Sequence, residues 1–319
     1  MGFDAGKYAP FLDRCFNTRE YTLCEIEKGL SDDVKFKADV GGESYAVKIV
    51  EGKREGAPVA NRLLWYKALQ AASEADGRIA SPKWFDGVDG HVVTVTQWID
   101  GVAPTEYLAG NPTLQIEYGK KAGEILRALH GLRFVKSEIK QRGERIAERV
   151  VRKIDGLIEC VEERGISFVG SDGVIERLKS GKGVISESRA GMVHNDVRLE
   201  NFIVSGGDIY LFDFDSGVLG DCYADFAYLT ALSDKDFRVF SYAALNSYFG
   251  GKIPEEFWEA NMYFCMVKLV EYAVYKFNKC GGTVVKQAKS CMEIFGDYKN
   301  AVPDWWDGID KTYRKQLRV

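Results

Sequence analysis

At 319 residues, with 46% hydrophobic residues and a formal net charge of −4, the chain is long enough for a sizeable core and too apolar to be disordered. Its acidic balance, with a pI near 5.6, carries no overall footprint for nucleic acid. No run approaches the ~18 apolar residues of a spanning helix, and the N-terminus lacks the basic-then-apolar order of a signal peptide, so neither nucleic acid nor membrane is expected as a partner. Seven scattered cysteines, an odd number without a Cys-x-x-Cys pair, and three isolated histidines point to reduced thiols in the cytoplasm rather than a disulfide framework or a transition-metal cluster.

In chain order, Gly29-Leu30-Ser31-Asp32-Asp33 reads as a turn and the run from Val34 to Val40 as a strand. Gly41-Gly42 has the form of a two-residue hairpin, and Tyr45 to Val50 alternates as a second strand. In that strand Tyr45, Val47 and Ile49 share one face, and Ala46, Lys48 and Val50 the other. Asn61-Arg62-Leu63-Leu64-Trp65 opens a helix, His91 to Thr96 is strand-like, and Gln97 to Gly101 reads as a connector. Helical spacing then takes over. Ile125, Leu126 and Leu129 form one stripe between Leu114 and Leu132, and Ile146, Val150, Ile154, Leu157 and Val161 mark a charged helix from Ile139 to Cys160. Pro254 to Phe277 reads as a long helix, with Pro254 in its first turn and Glu255-Glu256 suited to the positive N-terminal dipole.

The segment MVHNDVRLENFIVSGGDIYLFDFDSG, residues 192–217, carries the chemistry. Phe202 to Val204 and Ile209 to Phe212 are short apolar runs separated by the turn signal Gly206-Gly207-Asp208. A hairpin of these runs brings Asn201 and Asp213 to its open end. Phosphoryl transfer needs a carboxylate to orient and deprotonate the accepting hydroxyl, and oxygen ligands to hold magnesium against nucleotide phosphates. Asp196 suits the first role; Asn201, five residues on, and Asp213 suit the second.

These residues resemble the catalytic core of the aminoglycoside phosphotransferase and choline kinase family, a branch of the protein-kinase-like fold. The likeness rests on His194-Asn195-Asp196, Asn201 and Leu211-Phe212-Asp213-Phe214-Asp215. It extends to Gly220-Asp221 with Asp225-Phe226-Ala227, to Ala122-Gly123-Glu124-Ile125-Leu126 with Leu129-His130, and to Ala301-Val302-Pro303-Asp304-Trp305-Trp306. It implies an α+β, two-lobed fold: a small β-rich N-terminal lobe over 1–98 and a larger, mainly helical lobe over 99–319. It implies transfer of the γ-phosphate of ATP or GTP, with Mg2+, to a small-molecule hydroxyl. In that reading Ala46 admits the adenine ring and Lys48 reaches the phosphates. Ser31 and its neighbours cover the phosphates through backbone amides and a hydroxyl. The backbone of Gln97, Trp98 and Ile99 meets the base edge, and Ile203 joins the nucleotide contacts. One departure stands out: the Glu that pairs with the strand Lys in this fold is replaced by Asn61 or Arg62, and Glu55 lies upstream, cut off by Pro58.

Asp225 is expected to cap the following helix or brace the loop at Asp196. The acidic chain suits a cationic acceptor, with aminoglycoside-type antibiotics the leading class. Glu255, Glu256, Glu259, Glu271, Glu293 and Asp297 are candidate contacts for amino groups, and Trp258, Tyr263, Tyr272, Tyr275, Trp305 and Trp306 supply aromatics that are more often core than a cage for quaternary ammonium. The alternatives are a choline, amino-alcohol or sugar kinase, and a nucleotide-binding pseudokinase kept in play by the missing Glu.

Overall fold

The computed structural model describes residues 5–26, 33–51, 59–132, 145–232, 234–280 and 285–317. The chain divides into two compact units, Met1–Gly101 and Val102–Val319. The expectations placed on Ser31 and Glu55, and on the side chain of Asn61, lie outside the described residues.

The first unit is an antiparallel sheet. Strands β1 (Thr22–Glu25), β2 (Val34–Val40), β3 (Glu43–Glu51), β4 (Pro82–Val88) and β5 (His91–Gln97) lie in the order β1-β2-β3-β5-β4. The β2–β3 turn is Gly41-Gly42, with φ of 56° and 88°, which glycine adopts without a Cβ penalty. Alternation along β3 sends Tyr45, Val47 and Ile49 into a core with Phe36, Ala38, Val93 and Val95. That core is closed by a helix with no counterpart in the sequence reading, α1 (Ala9–Phe16), through Phe11 and Leu12. Helix α2 (Val59–Ala75) buries Trp65, Tyr66, Leu69 and Ala72 and sets Tyr66 5.6 Å from Phe85 of β4.

The second unit is mainly helical: α3 (Pro104–Tyr107), α4 (Pro112–His130), α5 (Ile146–Arg164), α6 (Ser171–Ser180), α7 (Arg238–Phe249), α8 (Glu255–Cys280), α9 (Val285–Ile294) and α10 (Trp306–Leu317). Asn111 caps α4, its side chain accepting from Leu114 N–H at 3.1 Å. Helix α5 runs past the expected end at Cys160 and stops where Gly165 turns left-handed, φ 61°. Helix α8 starts at Glu255, just after Pro254 rather than around it. Among the described residues no helix is long and apolar enough to cross a membrane.

Two short hairpin-like sheets sit among these helices. Strand β6 (Ala190–Val193) pairs with β9 (Val218–Asp221), and β7 (Phe202–Ser205) pairs with β8 (Asp208–Leu211). The turn between β7 and β8 is Gly206-Gly207 alone, with φ of 57° and 81°. Asp208, expected in the turn, already pairs with Ser205, and Phe212 falls just beyond β8. Val102 extends this sheet, exchanging both backbone bonds with Val204.

Helices α4 and α7 approach so closely that only glycine fits at the contact. A Cβ on Gly119 would overlap the Phe240 carbonyl, and one on Gly123 the Ala244 carbonyl. Gly123→Ala should therefore destabilise the fold by about 1–3 kcal/mol, the usual cost of overpacking. Gly156→Ala in α5, where nothing lies within 4 Å, should stabilise it by up to ~1 kcal/mol through helix propensity. Urea-unfolding midpoints of the two variants test this opposition of sign.

Candidate functional site

The loop from His194 to Asn201 leaves β6 and is pinned from several sides. Asp225, in the short helix Cys222–Phe226 and 1% exposed, accepts from the backbone N–H of His194 at 2.8 Å and of Asn195 at 2.6 Å, and from the His130 ring at 3.0 Å. It therefore braces the loop, one of the two roles expected of it. The capping role belongs to Asp221, which accepts from Tyr223 N–H and pairs with Arg189.

His194 is fully buried. Its Nδ1 accepts from the Asp196 N–H at 3.3 Å, so its Nε2 carries the proton and donates to the Phe212 carbonyl at 2.9 Å. One ring thus ties the loop to the end of β8.

Asp196 is held in turn. Asn201 donates its amide to the Asp196 carboxylate at 2.9 Å and to the Asp196 carbonyl at 2.7 Å. Arg198 spans the carboxylate, Nε to Oδ1 at 3.0 Å and Nη2 to Oδ2 at 3.1 Å. Arg198 received no role in the sequence reading, although its place two residues after Asp196 was the available signal. The guanidinium lies 5.6 Å from the Tyr228 ring, and the Lys268 ammonium 6.0 Å from it. Burial and then the charge of Asp196 push the Tyr228 hydroxyl well above its ordinary pKa, so it stays protonated. Tyr228 opens a single π-turn, Tyr228–Leu232, a distortion that often accompanies functional sites.

Asn201 and Asp213 meet at the open end of the β7–β8 hairpin. The Phe212 N–H donates to the Asn201 carbonyl at 3.0 Å, one step beyond the Phe202–Leu211 pair, and Asp213 follows at φ 62°, ψ 61°, a left-handed conformation that Asp tolerates better than most residues. Asn201 commits its amide nitrogen to Asp196, which makes its side-chain carbonyl the atom suited to a cation. With the exposed carboxylate of Asp213 this is a hard-oxygen donor set of the kind magnesium takes. Ile203 lies half-buried in β7 opposite Tyr210.

In the first unit, Ala46 and Lys48 share a half-buried face of β3. A carboxylate does face Lys48: that of Asp33, 3.6 Å from the ammonium and one residue before β2. Asp33 stood in the turn assigned to phosphate cover, where its charge was not weighed. The Trp98 N–H donates to the Ser44 carbonyl at 3.0 Å and its indole to Asp100 at 2.8 Å. The sheet therefore consumes a donor expected at the base edge, and the expectation narrows to the other backbone groups of Gln97 and Ile99.

A cavity of about 190 Å³ in the second unit borders Arg198. Its lining includes Glu200, Tyr228, Asp234, Lys268 and Tyr272. Of the acids proposed for amino groups, Glu271 is engaged internally, 2.8 Å from both Lys268 and Lys153. Of the aromatics, Tyr263, Trp305 and Trp306 are core: Tyr263 donates to Leu178, Trp305 to Thr230, and Trp306 packs on Tyr242.

The chain belongs to the phosphotransferase enzyme family, whose model matches residues 22–258, and it is accordingly a small-molecule phosphotransferase. Its fold is that of solved members. A spectinomycin phosphotransferase in complex with ADP and spectinomycin aligns at a TM-score of 0.61 and 15% identity, over 92% of this chain and 95% of that one. The gentamicin–APH(2")-IIa complex aligns at 0.58 and 15%, over 93% and 98%. Aminoglycoside phosphotransferase APH(4)-Ia aligns at 0.59 and 12%, over 98% and 99%. No curated protein matches the chain in sequence.

Glu271 supplies a pH test. Burial works against its charge, but the attraction of Lys268 and then Lys153 outweighs it and lowers the carboxyl from 4.5 to about 2. A lowered folded pKa means that the ion pair contributes its full stability above about pH 4.5 and loses it as pH falls toward 2. Urea titrations across that window should show the stability gap between the wild type and Glu271→Gln closing on acidification. A constant gap would mean that the charge of Glu271 contributes nothing.

Proposed function

We propose that the protein transfers the γ-phosphate of a nucleoside triphosphate, with ATP the leading donor because neighbours are solved with ADP and ATP, to a hydroxyl of a small cationic acceptor. The observation that carries this reading is the Asp196 carboxylate, oriented by Asn201 and Arg198 on a loop pinned by Asp225. A general base must be held still within reach of the proton it takes, and here the Asp196 carboxylate accepts from Asn201 and Arg198 while the amides of His194 and Asn195 just before it are held by Asp225.

In this reading Asp196 receives the proton of the acceptor hydroxyl. Asn201 and Asp213 hold magnesium, which when bound neutralises the phosphate charge. Lys48, kept in place by Asp33, contacts the phosphates, and Ala46, Ile203 and the segment from Gln97 to Ile99 receive the base.

The leading acceptor class is the aminoglycosides, supported by the spectinomycin and gentamicin of the structural neighbours and by Glu200 and Asp234 beside Arg198, which would make the activity one of antibiotic resistance. A smaller amino alcohol such as choline is favoured by one observation. The cavity, at about 190 Å³, is below the ~300–1,000 Å³ of ordinary drug-sized sites, and Tyr228 and Tyr272 line it. A nucleotide-consumption screen of the purified protein against aminoglycosides, amino alcohols and sugars decides among them.

Asp196→Asn should lower turnover about 10²–10⁴-fold, the usual value of base assistance, while nucleotide affinity by calorimetry stays near that of the wild type. Near-normal turnover would remove Asp196 from the role.

Asp213→Ala should reduce magnesium-dependent binding of a nonhydrolysable ATP analogue more than Asn201→Ala does, because a full charge is lost in one case and a carbonyl dipole in the other. Equal magnesium enhancement in the wild type and Asp213→Ala would sink the metal assignment.

A further inference from the structure

Lys268 is 3% exposed, in the middle of α8. Its ammonium lies 2.8 Å from the Asn195 carbonyl, 2.6 Å from the Asn195 Oδ1 and 2.8 Å from Glu271. An ammonium has three N–H donors, and these three acceptors match that number. Two of them belong to one residue, and that residue has φ 67°, in the left-handed region that most L-residues avoid and that Asn adopts only with local support. Asp225 holds the N–H of Asn195 from the other side, so the peptide entering Asn195 and the peptide leaving it are each fixed by a buried charge.

A buried lysine is a poor way to stabilise a fold, since well-packed apolar side chains replace such pairs with little loss. Its value here is conformational. The rotation at Asn195 sets the direction in which the chain presents Asp196, and the Lys268 ammonium rewards only the rotamer and backbone turn that bring both oxygens of Asn195 to one point.

We propose that Lys268 is a positioning residue: it locks Asn195 left-handed and thereby aims the Asp196 carboxylate. The charged and titratable groups around it are Glu271, Lys153 behind Glu271, Tyr228 and Arg198. Glu271 anchors the ammonium through one carboxylate oxygen, and Lys153 holds the other. Where the turnover arm below is concerned, the proposal rests on the phosphotransferase reading.

Glycine adopts the left-handed region freely, so the lock should matter only while residue 195 has a side chain. The test is a cycle of Lys268→Met, Asn195→Gly and the double variant. Lys268→Met should lower kcat roughly tenfold to hundredfold, the scale of a misplaced reacting group, with the calorimetric Kd for a nonhydrolysable ATP analogue unchanged. In the Asn195→Gly background the same substitution should have little effect on kcat. Equal loss in both backgrounds would overturn the proposal, as would a loss confined to nucleotide affinity. Urea midpoints of the four proteins need no acceptor: Lys268→Met should destabilise the Asn195 background more than the Asn195→Gly background, and strict additivity would overturn the lock. If Lys268→Met fails to fold, Lys268→Met/Glu271→Gln, which leaves no unpaired carboxylate, takes its place in the cycle. Failure of the wild type to consume nucleotide with any acceptor would instead count against the kinase reading, and the stability cycle would still judge Lys268.

Discussion

One buried carboxylate organises the second unit. Asp225 is 1% exposed, and a charge so placed is tolerable only if its oxygens are satisfied by well-aimed donors. It has three: the amides of His194 and Asn195 and the ring of His130. These come from the loop and from the last residue of α4, so satisfying one side chain ties both to the short helix Cys222–Phe226. Tyr248, 2.9 Å from the other nitrogen of His130, extends the chain to α7. The close helical contact at Gly119 and Gly123 sets the same two helices together from the other end. Removing the Asp225 carboxylate would leave two amides and an imidazole without their acceptor in a dry interior, so its effect on fold and on Asp196 would be inseparable.

The site is built from opposed restraints rather than from a rigid element. Asp196 sits on irregular backbone, yet its neighbours are held by Asp225 on one side and Lys268 on the other, and its carboxylate by Asn201 and Arg198. Irregular backbone lets several side chains converge, and buried charges supply the stiffness that a helix or strand would have given. The Asp33–Lys48 pair applies the same idea in the first unit, where a carboxylate one residue before β2 faces a cation on β3.

Much of this was legible in the sequence because it is local. Period-two alternation gave β3 and its two faces, Gly41-Gly42 gave the first hairpin turn and Gly206-Gly207-Asp208 the second to within one residue, and the hairpin placed Asn201 beside Asp213. What the sequence hid is long-range. Lys268 lies 73 residues from Asn195, and nothing in the amphipathic pattern of α8 marks one lysine as buried. Arg198 was visible within the motif but was given no role, and Glu271 was counted among candidate substrate contacts although Lys268 sits three residues before it on the same helix, because its second partner, Lys153, comes from α5. Helix α1 escaped notice because eight residues carry too few turns to show a period. The Trp98 amide was assigned to a ligand because the demand of Ser44 for a donor appears only once β3 and β5 are paired.

The left-handed turn at Asn195 also constrains how this loop can change through descent. Codons for Asn and Gly differ at more than one base, so a lineage moving between them passes through Asp or Ser. Ser gains little in the left-handed region, whereas Asp tolerates it and would offer the Lys268 ammonium a carboxylate in place of an amide oxygen. The buried lysine therefore makes the Asp route passable, and a lineage that completes the step to Gly is free to lose the lysine afterwards. On the proposed lock, Lys268 is dispensable only once residue 195 is glycine.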